Sequence, residues 1–313
     1  MNQGWVYHEQ VKAADEGKTV LEYYADKYRH SSSAEWATRI ESDQILLNEQ
    51  PAEIATILKR QDKLAYHRQP WVEPQVPLQF EVVYEDSELM AINKPSGLPV
   101  LPGGGFLEHT LLWQLRKYYP QDTPVPVHRL GRGTSGLLLL ARSQLAKSHL
   151  TQQLRRSTSQ QSGSKLTKVY RTLVLGKPIR DRFTITQPIG KIPHPRLGYI
   201  YGATSNGKPA CSECRVIEHY RNCSLLEVKI ATGRPHQIRI HLATIGYPLI
   251  DDPLYVVGGG FAEIDSRSKS IPVPGDCGYF LHSYQISFTH PKTSESMIFT
   301  SPTPQNWQTK ITI

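Results

Sequence analysis

Apolar residues recur along this chain at two different intervals. In TVLEYYADKY the positions Val20, Leu21, Tyr24 and Tyr28 repeat at the period of one helix face, which predicts a helix near the start of the segment from Lys18 to His67. A second helix is predicted from Ser33 to Ser42. Short strand-like runs follow: QILLNEQPA turns at Asn48 and Glu49, and ILKRQDKLAYH alternates as a further strand. Helix, helix, strand, turn and strand make a compact unit over residues 1–67. The run RQPWVEPQVP, from Arg68 to Pro77, reads as a linker, because proline withholds donors and stiffens an extended chain. From Leu78 onward FEVVYEDSELMAINK, HTLLWQLRKYY, SGLLLLARS, KVYRTLVLG and CSLLEVKIATG read as many short strands with interspersed helices. Residues 78–313 are therefore expected to form one mixed α/β (α+β) domain with a mainly antiparallel sheet. Between Arg155 and Lys168 the run RRSTSQQSGSKLTK lacks an apolar period and carries only basic charge, which fits either a mobile segment that closes over a polyanion or an ordinary surface loop.

The composition refines this picture in three ways. Hydrophobic residues at 39% and charged residues at 20% of 313 belong to an ordinary folded protein of about two domains. Lysine and arginine exceed aspartate and glutamate by 36 to 28, giving a formal charge of +8, so nucleic acid is the expected partner. No apolar run approaches the roughly 20 residues that cross a bilayer, and MNQGWVYHEQVKAADEGK is too polar for a secretory signal; a cytoplasmic location without membrane contact is expected. Cys211 and Cys214 form a C-x-x-C, with Cys223 and Cys277 elsewhere and no second pair. A zinc site wants four ligands at suitable spacing. Reduced thiols and no metal are expected.

Chemistry enters with a series of motifs in a fixed order. VHRLGRGTSGLLLLAR, Val127 to Arg142, resembles the HRLD-x-x-TSGLLLLA signature of the RluA-like RNA pseudouridine synthases. His128, Arg129, Leu130, Thr134, Ser135 and Gly136 match it, and Gly131 stands where the signature has aspartate. Upstream, AINKPSGLPVLPG (Ala91 to Gly103) resembles the family's N-K-P-S-G-x-P-V-x-P. Downstream, Lys168-Val169-Tyr170 resembles K-x-Y, and ATGRPHQIRIHLATIGYPLIDDPLY (Ala231 to Tyr255) resembles TGR-x-HQIR-x-HLA-x-x-GHP-x-x-GD-x-x-Y. GKPACSECRV (Gly207 to Val216) and LHSYQISFTHP (Leu281 to Pro291) resemble two further strands. The resemblance spans nearly all of Leu78 to Pro304. The N-terminal unit, with Trp36, Arg39 and Ile40 ahead of Gln44 to Asn48 and then Asp62-Lys63-Leu64, resembles an RNA-binding module of a small-subunit ribosomal protein. That resemblance implies that Lys27, Arg29, Arg39, Lys59 and Arg60 meet RNA phosphates.

Family resemblance implies an isomerase that everts a uridine, cleaves its glycosidic bond and rejoins the base through carbon, with no cofactor and no metal, working as a monomer on ribosomal or transfer RNA. The family aspartate would attack the sugar or take a sugar proton; here its position is Gly131. Tyr170 would stack on the base and assist proton transfer, and Arg239 would pair with that aspartate. Arg129, Arg132, Arg234 and Gln237 would contact substrate, as would His128, Thr134, Ser135 and His236. A glycine supplies no carboxylate, and losing a general base typically lowers a rate by ~10² to 10⁴. Three explanations stay open: a protein that binds RNA without modifying it, a carboxylate arriving from Glu108, Asp122 or Asp252, and a route through water or tyrosine. Asp252 matches the family's GD position and is expected to hold a turn.

Overall fold

The computed structural model describes residues 1–158, 166–194, 197–261 and 273–311. One compact unit is made chiefly of Met1–Glu73 and a second of Pro74–His194 and Tyr199–Ile313, so the division falls inside the proline-rich stretch.

In the first unit, helices α1 (Val20–Lys27) and α2 (Ser33–Glu41) accompany an antiparallel sheet of β1 (Trp5–Gln10), β2 (Ile45–Leu47), β3 (Gln50–Pro51) and β4 (Lys63–Arg68), in the order β1-β4-β2-β3. Each helix opens on a capping box, Thr19 with Glu22 and Ser32 with Glu35, which satisfies two backbone donors reciprocally. Val20, Tyr23, Tyr24, Trp36 and Ile40 then form a core with Ile45 and Leu64. Asn48 and Glu49 both take positive φ, 50° and 71°, as a two-residue hairpin turn requires. Two expectations need correction. The sheet gains a strand, β1, that the periodicity did not announce. Conversely, ILKRQDKLAYH is a strand only from Lys63: Leu58 turns into the core, its N–H bonded to Lys18 O, and Gln61 at φ 73° breaks the extension.

The second unit follows chain order as β5 (Glu81–Glu85), β6 (Leu89–Lys94), α3 (Leu111–Tyr118), β7 (Val125–Pro126), β8 (Ser135–Ala141), α4 (Gln144–Thr158) and β9 (Thr167–Leu175). Next come β10 (Arg182–Ile185), β11 (Ile189–His194), β12 (Gly198–Ala203), β13 (Ser212–His219), β14 (Cys223–Ile230), α5 (Gln237–Thr244), β15 (Leu281–Thr289), β16 (Ser296–Thr300) and α6 (Gln308–Ile311). Ten strands make one sheet, with the path β10-β13-β14-β9-β15-β8-β6-β5, β16 joined to β15 and β7 to β8. The sheet is antiparallel apart from the β15–β8 pair, in keeping with the mixed, mainly antiparallel expectation. Strand β8 is buried at every position, which is why SGLLLLA shows no polar alternation. Its second residue, Gly136, has φ 101°, and a Cβ there would lie 2.4 Å from Ser283 O, so only glycine lets β8 approach β15. Residues 159–165 of the basic serine-rich run lie outside the described residues; its ends are not loop, since Arg155 to Thr158 belong to α4 and Thr167 and Lys168 to β9.

Candidate active site

The loop from Leu130 to Thr134 is built by its neighbours. Thr134 N donates to Gly131 O at 3.0 Å, closing a turn just ahead of β8. Lys94, fully buried, donates from Nζ to Pro95 O and Leu98 O at 2.8 Å and to Arg132 O at 3.2 Å. Burial lowers its pKa to about 7. Ser96 Oγ donates to Gly133 O at 2.7 Å, and Gly97 N to Arg132 O at 2.8 Å. The NKPSG segment is thus the cradle of the Leu130–Thr134 loop, a role the sequence reading did not assign to Lys94 or Ser96.

Around Gly131 lies a cavity of about 290 Å³, lined in part by Arg129, Tyr170, Arg234, His236, Arg239 and Tyr279. Tyr170 reaches it from β9, paired across to Ser283 of β15 and Val228 of β14. Burial pushes its phenol up to about 12 while a hydrogen bond with Ser283 pulls the other way, so Tyr170 is a neutral hydroxyl at physiological pH. A second cavity, of about 590 Å³, shares Arg129, Tyr170 and Arg234 and adds His128, Arg155 and Lys168. No carboxylate lines either one among the described residues. Burial lowers Lys168 to about 8, still largely protonated near neutrality. The pair of cavities therefore has a cationic rim, suited to phosphates beside an everted base.

Other residues named from the sequence have structural duties. Gln237 is 3% exposed and uses its amide fully: Oε1 accepts from Thr232 Oγ1 and Arg234 N, and Nε2 donates to Cys211 O and Ser212 Oγ. It fixes the loop that enters α5. His236 sits before that helix at φ 54°, with Nδ1 bonded to Tyr255 Oη, and burial, then Arg239, lowers its pKa to about 4. His128 Nε2 accepts from Leu139 N, and burial, then Lys168, lowers it to about 3. Ser135 Oγ bonds His282 Nδ1 at 2.9 Å, and Arg132 is tied by Nε to Gly275 O. Neither Ser135 nor Arg132 lines the cavity around Gly131.

Arg239 departs from its expected pairing. Its Nε and Nη2 both donate to Asp252, each at 2.7 Å, with side chains only 2% and 1% exposed. Burial works against the guanidinium's charge, and the carboxylate's hydrogen bonds and field outweigh it, so the pKa is raised. Asp252 Oδ1 also accepts from Leu254 N and Tyr255 N, so this carboxylate holds both the arginine and the turn. Asp122 pairs with Arg142 instead, and Glu108 does not line the cavity. The space beside Gly131 is taken by Tyr279. A Cβ at Gly131 would lie 2.9 Å from Tyr279 Oη, and one at Gly133 would lie 2.9 Å from the ring. Arg239 rests 4.1 Å over the same ring, and Thr134 Oγ1 is 3.3 Å from Tyr279 Oη. Sequence reasoning missed Tyr279, which stands two residues ahead of LHS without a motif of its own.

The family profile for RNA pseudouridylate synthase matches residues 88–244. The chain belongs to the RluA-like RNA pseudouridine synthases. An uncharacterized RNA pseudouridine synthase of Synechocystis sp. is 47% identical over 285 residues, 91% of this chain and 94% of the relative. Ribosomal large subunit pseudouridine synthase D of Nitrosomonas europaea is 36% identical over 235 residues, 74% of this chain and 63% of that protein. The structure of human RNA pseudouridylate synthase domain containing 1 matches with a TM-score of 0.55 at 23% identity, over 74% of this chain and 86% of that one, which establishes a shared fold. The assignment makes this synthase an isomerase in class, and Gly131 a departure within it. Among the described residues, no group of three or more histidine, cysteine, aspartate or glutamate side chains is arranged to hold a metal.

Proposed function

We propose that this synthase isomerises a specific uridine in ribosomal or transfer RNA, as a cytoplasmic monomer. The observation that supports this most is the convergence of Tyr170, Arg239 and the Leu130–Gly131 turn on one cavity with a basic rim. Arg129, Arg155, Arg234 and Lys168 would hold the phosphates flanking an everted nucleotide, and Tyr170 would stack on its base. With no carboxylate lining the cavity among the described residues, the phenols of Tyr170 and Tyr279 are neutral donors that can hydrogen-bond the departing uracil. The name of the Nitrosomonas relative favours ribosomal RNA as substrate. The N-terminal unit would help present that RNA. Tritium release from RNA labelled at uridine C5 tests the reading, since C5 must lose its hydrogen on bonding to ribose. Release by the purified protein is expected, and its absence with every RNA tried overturns the proposal.

A second reading, RNA binding without turnover, is favoured by one observation: no aspartate or glutamate lines the cavity among the described residues. Retention of RNA with no tritium release would select it.

A further inference from the structure

The N-terminal unit carries an aromatic series that the catalytic reading leaves unused. Its inner end is Trp36, buried, whose ring meets Tyr66 edge-on at 5.3 Å. Tyr66 stacks in turn on Tyr7, with centroids 5.9 Å and planes 19° apart. Tyr7 and Tyr66 oppose each other across β1 and β4, and Trp5 opposes Arg68 two residues along, so all four share one face. Exposure rises along the series: Tyr66 is half-buried, while Tyr7 is 39% and Trp5 43% exposed. Strand β1 is an edge of its sheet, which leaves the outer end of the series open.

Cations run beside it. The Arg39 guanidinium lies 4.4 Å over the Trp36 ring and 5.9 Å from that of Tyr66, and Arg68 lies 3.5 Å over Trp71. Both arginines bear on His30, whose ring meets Trp36 at 5.8 Å and whose pKa is lowered by burial first and then by these two charges. The carboxylate that also reaches His30, Glu35, accepts from Ser32 N and Oγ in its capping box, so its charge is engaged at the start of α2. Open rings bordered by guanidiniums complement a π-face joined to a phosphate. An apolar protein surface offers guanidiniums no complementary charge, whereas a phosphate does.

We propose that Trp5 and Tyr7, backed by Tyr66 and bordered by Arg39 and Arg68, form a stacking platform for unpaired RNA bases. Resting on the reading of this chain as one that acts on RNA, the platform supplies a contact that needs exposed base faces, which a duplex does not offer. Lys27, expected from the sequence to meet phosphate, instead pairs with Glu9, so stacking takes over part of the role assigned to charge.

The test titrates full-length protein into a labelled single-stranded oligouridylate and into an RNA duplex of equal length at one salt concentration. Stacking on an aromatic ring is lost on alanine substitution with an effect of about five-fold to a hundred-fold per base, so Trp5→Ala and Tyr7→Ala are each expected to weaken single-strand binding by that factor and to leave duplex binding within about two-fold. Tyr7→Phe keeps the ring and is expected to keep the affinity, with unchanged circular dichroism in all three variants. Unchanged single-strand binding, or equal losses on both probes, overturns the platform. So does a fall in sedimentation coefficient in the alanine variants without loss of RNA affinity, which would assign the patch to self-association. Wild-type protein that binds neither probe overturns the RNA reading and the platform together. Selective loss in a protein that releases no tritium upholds the platform and removes only the catalytic reading.

Discussion

Gly131→Ala is the smallest perturbation that measures how completely Tyr279 fills the space beside the Leu130–Thr134 loop. On the observed backbone the added methyl lies 2.9 Å from Tyr279 Oη and 3.4 Å from Thr134 Oγ1. Gly131 does not have a positive φ, so the substitution brings no backbone strain of its own. The phenol has little room to retreat: it is 5% exposed, covered by Arg239 on its ring, and bounded by Gly133. Overpacking by one methyl costs about 1–3 kcal/mol. Restricting the unfolded chain returns about 0.4–1 kcal/mol, for an expected net loss near 1 kcal/mol. Tyr279→Phe removes Oη and its contact with Thr134, a loss of about 1 kcal/mol. In the double variant the methyl occupies the space of the missing oxygen, so it should be more stable than the sum of the singles by roughly 0.5–2 kcal/mol. Urea midpoints of the four proteins, compared at constant slope, give that coupling. Strict additivity refutes the reasoning. The same geometry governs Gly131→Asp: alone it should yield no gain in tritium release, because Oη obstructs the carboxylate and Asp252 already holds Arg239. Combined with Tyr279→Phe, which clears Oη while Asp252 keeps Arg239, release should rise over that of Tyr279→Phe alone, by less than the ~10² to 10⁴ that a fully assisted general base contributes.

Further outcomes follow from the same contacts. Asp252→Ala strands Arg239 as an unpaired buried charge and should lower the unfolding free energy by about 3–5 kcal/mol in the same urea measurement; a loss below about 1 kcal/mol contradicts the pairing described. Tyr170→Phe should remove tritium release while RNA affinity by filter binding stays nearly intact, and substantial turnover by that variant refutes the role given to the hydroxyl. His128, His236 and His282 have folded pKa values lowered by burial to about 3, 4 and 4, against 6.5 when unperturbed. Between those limits the unfolded chain binds protons the folded one does not, so stability rises with pH across that window and is lost as pH falls from about 6.5. A urea midpoint that stays flat from pH 7 to pH 5 would count against neutral histidines at these three positions.

The fold was legible where pattern and burial agree. The uninterrupted SGLLLLA could only be a strand covered on both faces, and it is the buried β8. Asn48-Glu49 announced a hairpin, since the run reverses there and Asn tolerates positive φ. Helix α5 was not legible, because nearly every residue of QIRIHLAT is buried and no polar face marks a helical period. Strand β1 escaped for the opposite reason, being a largely exposed edge whose alternation is weak. At the site, motif order located Tyr170, Arg239 and the Gly131 turn, which the chain folds into one cavity from three separate segments. It did not reveal the partner of Arg239: the aspartate that would compete for it is absent, and only the fold brings Asp252 within reach. Tyr279 was invisible for a related reason, since its significance lies in the space left by two glycines nearly 150 residues away in sequence.

That space bears on how the site stays satisfied with glycine at position 131. Deleting a carboxylate from beside a buried guanidinium would leave a cavity and an uncompensated charge, each destabilising by kilocalories. Neither is present. The Tyr279 ring fills the volume over Gly131 and Gly133, and Asp252 neutralises Arg239 with two hydrogen bonds. The floor of the cavity is therefore satisfied without substrate, while Arg129, Arg155, Arg234 and the buried Lys168 line the adjoining cavity with no carboxylate among the described residues. On the function proposed, the rim would carry the affinity for the RNA backbone and the floor would carry bond breaking. Substitutions at Gly131 and Tyr279 should accordingly change the rate with little effect on RNA affinity, whereas Arg129→Ala or Arg234→Ala should weaken binding and flatten its salt dependence.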